Sequence, residues 1–173
     1  MKTHQAFTET QRFGQWWIWL ILAGINGLFI YAIIQQTILG HPFGDKPMSD
    51  TGLLLVFGVL LLITFLFICV RLQTYIDEDG VYVRFFPFRL TYKRYAWTEI
   101  SKSYVKQYRP ILKFGGWGFR YNLSFREKAY SVSGRDGLEL ELVTGKKVLI
   151  GTQKPEKLTK ILISLGKTEK QNN

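Results

Sequence analysis

The chain has 173 residues, of which 47% are hydrophobic, and a net charge of +10 at pH 7. Residues 71–173 contain twenty Lys and Arg against ten Asp and Glu, whereas residues 1–70 are balanced in charge. The positive region favours an anionic partner. Cys69 is the only cysteine, which excludes an internal disulfide and a metal site built from cysteines.

Two long apolar segments dominate the first half of the chain. Residues 53–70 carry no charge, and a helix of this length spans about 27 Å, close to the roughly 30 Å of a bilayer core. Residues 16–34 begin with a tryptophan-rich stretch that favours the membrane interface. We therefore predict a transmembrane hairpin over residues 16–72, with an extracytoplasmic loop at 40–51 and a cytoplasmic leader at 1–15. A cleavable signal peptide is the alternative for the first segment, but its apolar region should be shorter.

The charges flanking these segments predict the orientation. Lys2 and Arg12 precede the first segment and Arg71 follows the second, while Lys46 stands between two acids in the loop. The positive-inside rule then places both termini in the cytoplasm.

Asn26 is the polar residue near the middle of the first segment. Because an amide facing lipid is costly, we expect it to face the other helix or a second copy of the chain. Ala23 and Gly27 form a small-xxx-small pair on an adjoining face, which permits close helix packing.

Beyond residue 72 the hydrophobic pattern changes to a period of two. Residues 138–142 alternate leucine with Glu139 and Glu141, which predicts a strand with one buried face and glutamates in solvent. Turn signals such as Asp79-Gly80 separate about seven such segments. These segments predict an α+β protein with an antiparallel sandwich or barrel behind the hairpin.

The pattern becomes helical again after residue 152. Pro155 suits the first turn of a helix, and Gly166 suits its C-terminal cap. Four apolar residues would share one face of this helix: Leu158, Ile161, Leu162 and Leu165. This predicts an amphipathic helix packed on the sheet, a cytoplasmic domain over 73–166 and a disordered tail over 167–173.

Four stretches of the second half carry a resemblance to a known family: GVYV at 80–83, AWTEI at 96–100, GGWG at 115–118 and IGTQKPE at 150–156. Together with the order of strands and final helix, they resemble the bacterial pleckstrin-homology-like (PH-like) family. The resemblance implies a bacterial inner-membrane protein whose cytoplasmic module binds lipids, proteins or copies of itself, without enzymatic activity or a cofactor. Lys93 and Arg94 are adjacent and point to opposite faces of a strand, which departs from the phosphoinositide-binding arrangement of PH domains.

The GGWG loop is the most unusual local composition. Lys113, Trp117, Arg120 and Tyr121 surround its glycines, whose backbone N–H groups suit an anionic lipid headgroup or an acidic partner. The alternative is a tight bend in which Trp117 packs on the sheet.

Residues for catalysis or metal binding are few. His4 lies in the leader and His41 in the loop, so neither serves the cytoplasmic domain. Asp77, Glu78 and Asp79 are successive and alternate faces, which predicts a solvated strand and turn instead of a cation site.

The sequence therefore predicts a non-enzymatic membrane protein without cofactors. Its basic domain is expected to bind anionic lipid, a protein partner or itself. A membrane-tethered nucleic-acid binder and a small subunit of a transporter or export complex are the alternatives; nucleic acid is the less favoured partner because no recognition motif is present.

Overall fold

The computed structural model describes residues 6–122 and 127–168, except the side chains of Lys113 and Asn122. The chain forms two compact units: a helical unit over residues 14–69, and a domain built from the residues on both sides of it. Most of the predicted tail, and the first five residues of the predicted leader, lie outside the described residues.

Both predicted apolar helices are present. Helix α1 spans Trp16–Ile33 and continues as a π-helical segment, Ile34–Ile38, while α2 spans Asp50–Cys69. Both are long and apolar enough to cross a membrane, and only 11% and 6% of their apolar windows are buried. The core helix of a soluble protein would be mostly buried, and neither helix has such burial in this chain.

Asn26 connects the two helices through hydrogen bonds of its side chain. Its Nδ2 donates to the Leu22 carbonyl at 2.7 Å and to Thr64 Oγ1 on α2 at 3.0 Å. Ala23 and Gly27 are exposed instead, and nothing lies within 4 Å of a Cβ placed on Gly27. The α1–α2 contact therefore uses Asn26 and leaves the small-residue face open.

The leader is not a separate segment, because it contains the first strand of the domain. Strand β1, Phe7–Arg12, pairs antiparallel along its whole length with β2, Arg71–Ile76. The helical unit is thus inserted between two neighbouring strands. The predicted domain boundary is also shifted, since β2 begins two residues after α2 ends.

Polar side chains attach β1 to residues 151–153, near the C-terminal end of the domain's sequence. Glu9 accepts hydrogen bonds from Thr152 Oγ1 at 2.7 Å and from the Gln153 N–H at 2.8 Å. Gln11 Nε2 donates to the Gly151 carbonyl at 2.6 Å. Both side chains are buried, although their polarity predicts solvent exposure.

The nine described strands form two sheets. The first has the order β1-β2-β3-β4 and is antiparallel throughout; β3 is Gly80–Phe86 and β4 is Lys93–Ala96. The second has the order β5-β8-β9-β7-β6. Its strands are β5 Ile100–Gln107, β6 Gly118–Asn122, β7 Glu127–Ser131, β8 Asp136–Leu142 and β9 Lys147–Thr152.

Strands β7 and β9 pair in parallel, which corrects the expectation of a fully antiparallel sheet. Strand β8 lies between them in sequence but beside β9 in the sheet. A 3₁₀ turn at Trp97–Glu99 and a short helix α3, Pro110–Phe114, flank β5.

The predicted C-terminal helix is confirmed as α4, Pro155–Ser164. Leu158 and Leu162 are buried in the core between the sheets, and Ile161 and Leu165 pack against it. Gly166 adopts φ 66° just after the helix, a conformation that glycine tolerates without strain. The α+β class therefore holds for the described residues.

Asp77 departs from the solvated role predicted for it. It is 2% exposed, and its Oδ1 accepts the N–H groups of Asp79 and Gly80 at 2.9 and 3.0 Å. The carboxylate therefore shapes the β2–β3 turn, while Glu78 and Asp79 are exposed as expected.

Candidate anion-binding site

The residues predicted around the GGWG loop do not converge. Trp117 Nε1 donates to the Gly134 carbonyl at 3.2 Å. Arg120 and Tyr121 are neighbours on β6 and point to opposite faces. The side chain of Lys113 lies outside the described residues.

The glycines of the loop have a conformational role. Gly116 and Gly118 adopt φ 125° and 120°, which L side chains rarely adopt. Arg120 lies beside them, since a Cβ on either glycine would be 3.9 or 4.0 Å from its guanidinium. This geometry matches the tight-bend interpretation.

A different set of basic residues surrounds one open pocket of about 420 Å³. We call it the lysine pocket: Lys93, Lys128, Lys146 and Lys147 line it together with Tyr95 and Glu99. Glu99 is the one carboxylate in its lining among the described residues. The pocket therefore has a positive lining, which suits an anion.

The pocket forms where the edge of the first sheet meets the β8–β9 turn. Lys93 belongs to β4 and Lys128 to β7, while Lys146 ends the turn and Lys147 begins β9. The Val143 N–H donates to the Glu99 carbonyl at 2.9 Å, which holds the turn against the 3₁₀ segment.

The four ammonium groups are not equivalent. Lys147 Nζ lies 2.7 Å from Glu141 Oε1 and 3.7 Å from Glu139 Oε1, so its charge is already neutralised. Its hydrogen bond to Glu141 raises the pKa of Lys147, and the same bond lowers the pKa of Glu141. Lys93, Lys128 and Lys146 make no ion pair within the described residues.

Two of these three lysines make cation–π contacts with tyrosine rings. Lys93 Nζ lies 5.7 Å from the Tyr95 ring centre, and Lys128 Nζ lies 5.7 Å from the Tyr121 ring centre. Cation–π contacts of this length orient an ammonium without neutralising it. Tyr121 therefore contributes to this pocket by positioning Lys128.

Tyr95 is an uncharged polar residue of the lining. It is 4% exposed, and burial is the main cause that raises its pKa, followed by its interaction with Tyr130. Because the phenol stays neutral, it adds no negative charge that would repel an anion.

A buried carboxylate lies next to the pocket, which corrects the solvent-facing role predicted for Glu139. Glu139 is 1% exposed, and its Oε1 accepts the Tyr104 hydroxyl at 2.8 Å. Lys106 and Lys147 pair with it as well. The period-two pattern did not predict the burial of Glu139, because long neighbouring side chains cover the outer face of β8.

The described residues of the pocket supply ammonium groups that can bind an anion. Among the described residues, no group of three or more His, Cys, Asp or Glu is placed to hold a metal ion. Sequence reasoning missed the pocket because its lysines are up to 54 positions apart. The adjacent Lys146-Lys147 pair after the Thr144-Gly145 turn is the local sequence feature that indicates a basic site here.

The fold and the pocket define a class of protein: a two-sheet α+β domain with a basic pocket, interrupted by a hairpin of two helices long and apolar enough to cross a membrane. The chain belongs to DUF6141, a family of unknown function, whose model matches residues 2–167. No curated protein and no solved structure matches the chain.

Proposed function

We propose that this chain is a non-enzymatic, membrane-anchored binding protein with a PH-like domain. Its two helices cross the bacterial inner membrane, and its domain binds the phosphate of anionic lipid headgroups in the lysine pocket on the cytoplasmic side. The main support for the proposal is one open pocket lined by three lysines that have no carboxylate partner among the described residues, in a chain that also has two exposed apolar helices.

The exposure of the helices supports the anchor. Large apolar side chains such as Leu55, Leu62 and Phe65 are 58–68% exposed on α2. In water these surfaces would cost free energy at about 25 cal/mol per Å². A bilayer removes that cost, because lipid chains solvate apolar side chains on all sides of a helix.

The β1–β2 pairing supports two crossings. Arg12 before α1 lies opposite Arg71 after α2 in one antiparallel ladder. Residues paired in one sheet must lie on the same side of a membrane, which requires an even number of crossings. The basic residues on this side favour the cytoplasm.

The same pairing argues against a cleaved signal sequence. Phe7 is 2% exposed in the core, and Glu9 binds the end of β9. Cleavage after α1 would remove both from the domain. The N-terminal helix is therefore better explained as a retained anchor.

Calorimetry on the full-length protein in zwitterionic nanodiscs tests the pocket. The probes are dibutanoyl phosphatidylglycerol, dibutanoyl phosphatidylcholine and inorganic phosphate, all of which are water-soluble. We expect the phosphatidylglycerol to bind more tightly than the phosphatidylcholine, since only the former has a net negative charge. Inorganic phosphate that binds as tightly as the lipid would assign the pocket to a free phosphate ligand instead.

A charge-matched pair of variants makes this test specific. The pocket variant combines Lys93→Glu with Lys146→Glu. The control variant combines Lys157→Glu with Lys160→Glu, which alter the net charge equally at exposed positions of α4. At about 1 kcal/mol per lysine, the pocket variant should bind the anionic lipid roughly thirty-fold more weakly. Equal weakening in both variants would contradict a pocket and indicate a diffuse charge effect.

A further inference from the structure

The loop between β3 and β4 exposes two large apolar side chains. Phe88 is 70% exposed and Leu90 is 69% exposed, with the exposed Arg89 between them. Single exposed apolar residues are common, but two in one short loop form a protruding apolar surface. We call residues 87–92 the β3–β4 loop.

The β3–β4 loop is held in shape by the strand before it. The Phe88 ring stacks on Phe85 with ring centres 5.8 Å apart, and the Arg89 N–H donates to the Phe85 carbonyl at 2.8 Å. Arg84 Nη1 donates to the Leu90 carbonyl at 3.2 Å. The apolar side chains are therefore presented by an ordered loop.

Strand register places this loop at the same end of the strands as the connection from α2 to β2. Arg71 lies opposite Phe86 on β3 and opposite Arg12 on β1. Only Val70 separates Arg71 from the end of α2 at Cys69. The β3–β4 loop begins directly after Phe86, so it starts level with the chain's exit towards α2.

We infer that the β3–β4 loop inserts into the membrane interface as a second contact between the domain and the leaflet. This inference rests on the proposed membrane anchor. Phe88 and Leu90 enter the boundary between headgroups and acyl chains, while Arg89 lies at the level of the phosphates. Proximity to the exit and the apolar-basic composition select lipid as the occupant.

Such an insertion adds a lipid contact that is separate from the headgroup contact proposed for the lysine pocket. Two separate contacts with one leaflet would limit the tilt of the domain on the membrane.

Spin-label depth measurements on the full-length protein in phosphatidylcholine–phosphatidylglycerol liposomes test this inference. In a Cys69→Ser background, Phe88→Cys and Leu90→Cys carry the label in the loop. Glu78→Cys is the matched control, because it is exposed in the turn at the opposite end of β3. Phe65→Cys, an exposed position on α2, reports on the anchor.

Oxygen concentrates in lipid and a nickel chelate stays in water, so the two agents relax spin labels at different depths. We expect labels at 88 and 90 to be relaxed more by oxygen than by the nickel chelate, and the label at 78 to be relaxed more by the chelate. Labels at 88 and 90 that match position 78, while position 65 is in lipid, would overturn the loop insertion and leave the anchor intact. A label at 65 that is accessible mainly to the nickel chelate would overturn the anchor, and the loop insertion with it.

Discussion

At the scale of single residues, buried polar groups are the main departures from the sequence pattern. Glu9, Gln11, Asp77 and Glu139 are each 4% exposed or less, although their side chains are polar. Each of them hydrogen-bonds a partner, which offsets the cost of removing a polar group from water. Removing one side chain should therefore leave an unsatisfied partner.

Glu139→Ala tests this at the most connected of the four. The substitution removes one of the two carboxylates that the Tyr104 hydroxyl contacts and leaves Lys106 without its buried partner, and we expect the domain to lose about 2–3 kcal/mol of stability. Denaturant unfolding of the full-length protein, followed by near-UV circular dichroism, measures the loss. Glu156→Ala, an exposed glutamate on α4, is the control and should change stability by less than about 0.5 kcal/mol. Equal effects of the two substitutions would contradict the buried network.

At the scale of elements, β1 has the greatest consequence, because it belongs to the domain although 58 residues separate it from β2. A fragment that starts after the helices lacks an edge strand and the buried Phe7. The β1–β2 ladder joins the two ends of the helical unit, which is the geometry of a hairpin whose turn has been replaced by two helices.

We therefore predict that the domain folds in water when residues 14–69 are replaced by Asn-Gly. This dipeptide favours the tight turn that joins two antiparallel strands, and it would connect Phe13 to Val70 beyond the Arg12–Arg71 pair. The matched control is residues 70–173 alone, which should be unfolded or aggregated because β1 is missing. Amide dispersion in NMR spectra distinguishes the two. A well-folded control would show that β1 is dispensable.

At the scale of the whole molecule, the proposed membrane anchor and the insertion of the helices between β1 and β2 together predict which residues share a side of the membrane. Thr10 on β1 and Lys157 on α4 belong to one domain, whereas Asp45 lies in the α1–α2 connection. All three positions are exposed.

Labelling of intact cells with a membrane-impermeant maleimide tests this arrangement. In a Cys69→Ser background, Asp45→Cys should react from outside, whereas Thr10→Cys and Lys157→Cys should react only after lysis. Reaction of 10 and 157 from different sides would contradict the β1–β2 pairing in the membrane. If positions 10 and 157 both reacted from outside, the orientation derived from the positive-inside rule would be wrong, while the β1–β2 pairing would still hold.

Local patterns in the sequence were sufficient for several elements. Unbroken apolar runs predicted α1 and α2, and the i, i+3, i+4, i+7 spacing around Leu158 predicted α4. Period-two alternation predicted the strand at residues 138–142. These features depend on residues close together in the chain, so a local pattern determines them.

Only the tertiary structure decided which distant segments meet. In the folded chain, β1 pairs with β2 and β7 pairs in parallel with β9. Glu139 is buried beside Tyr104, Lys106 and Lys147, and the lysine pocket is formed by residues from three strands and a turn. The sequence by itself determined the two apolar helices and the positive charge of the second half. The partners of the polar residues depended on packing, because the free energy of burying a charge is set by contacts that the chain makes only when folded.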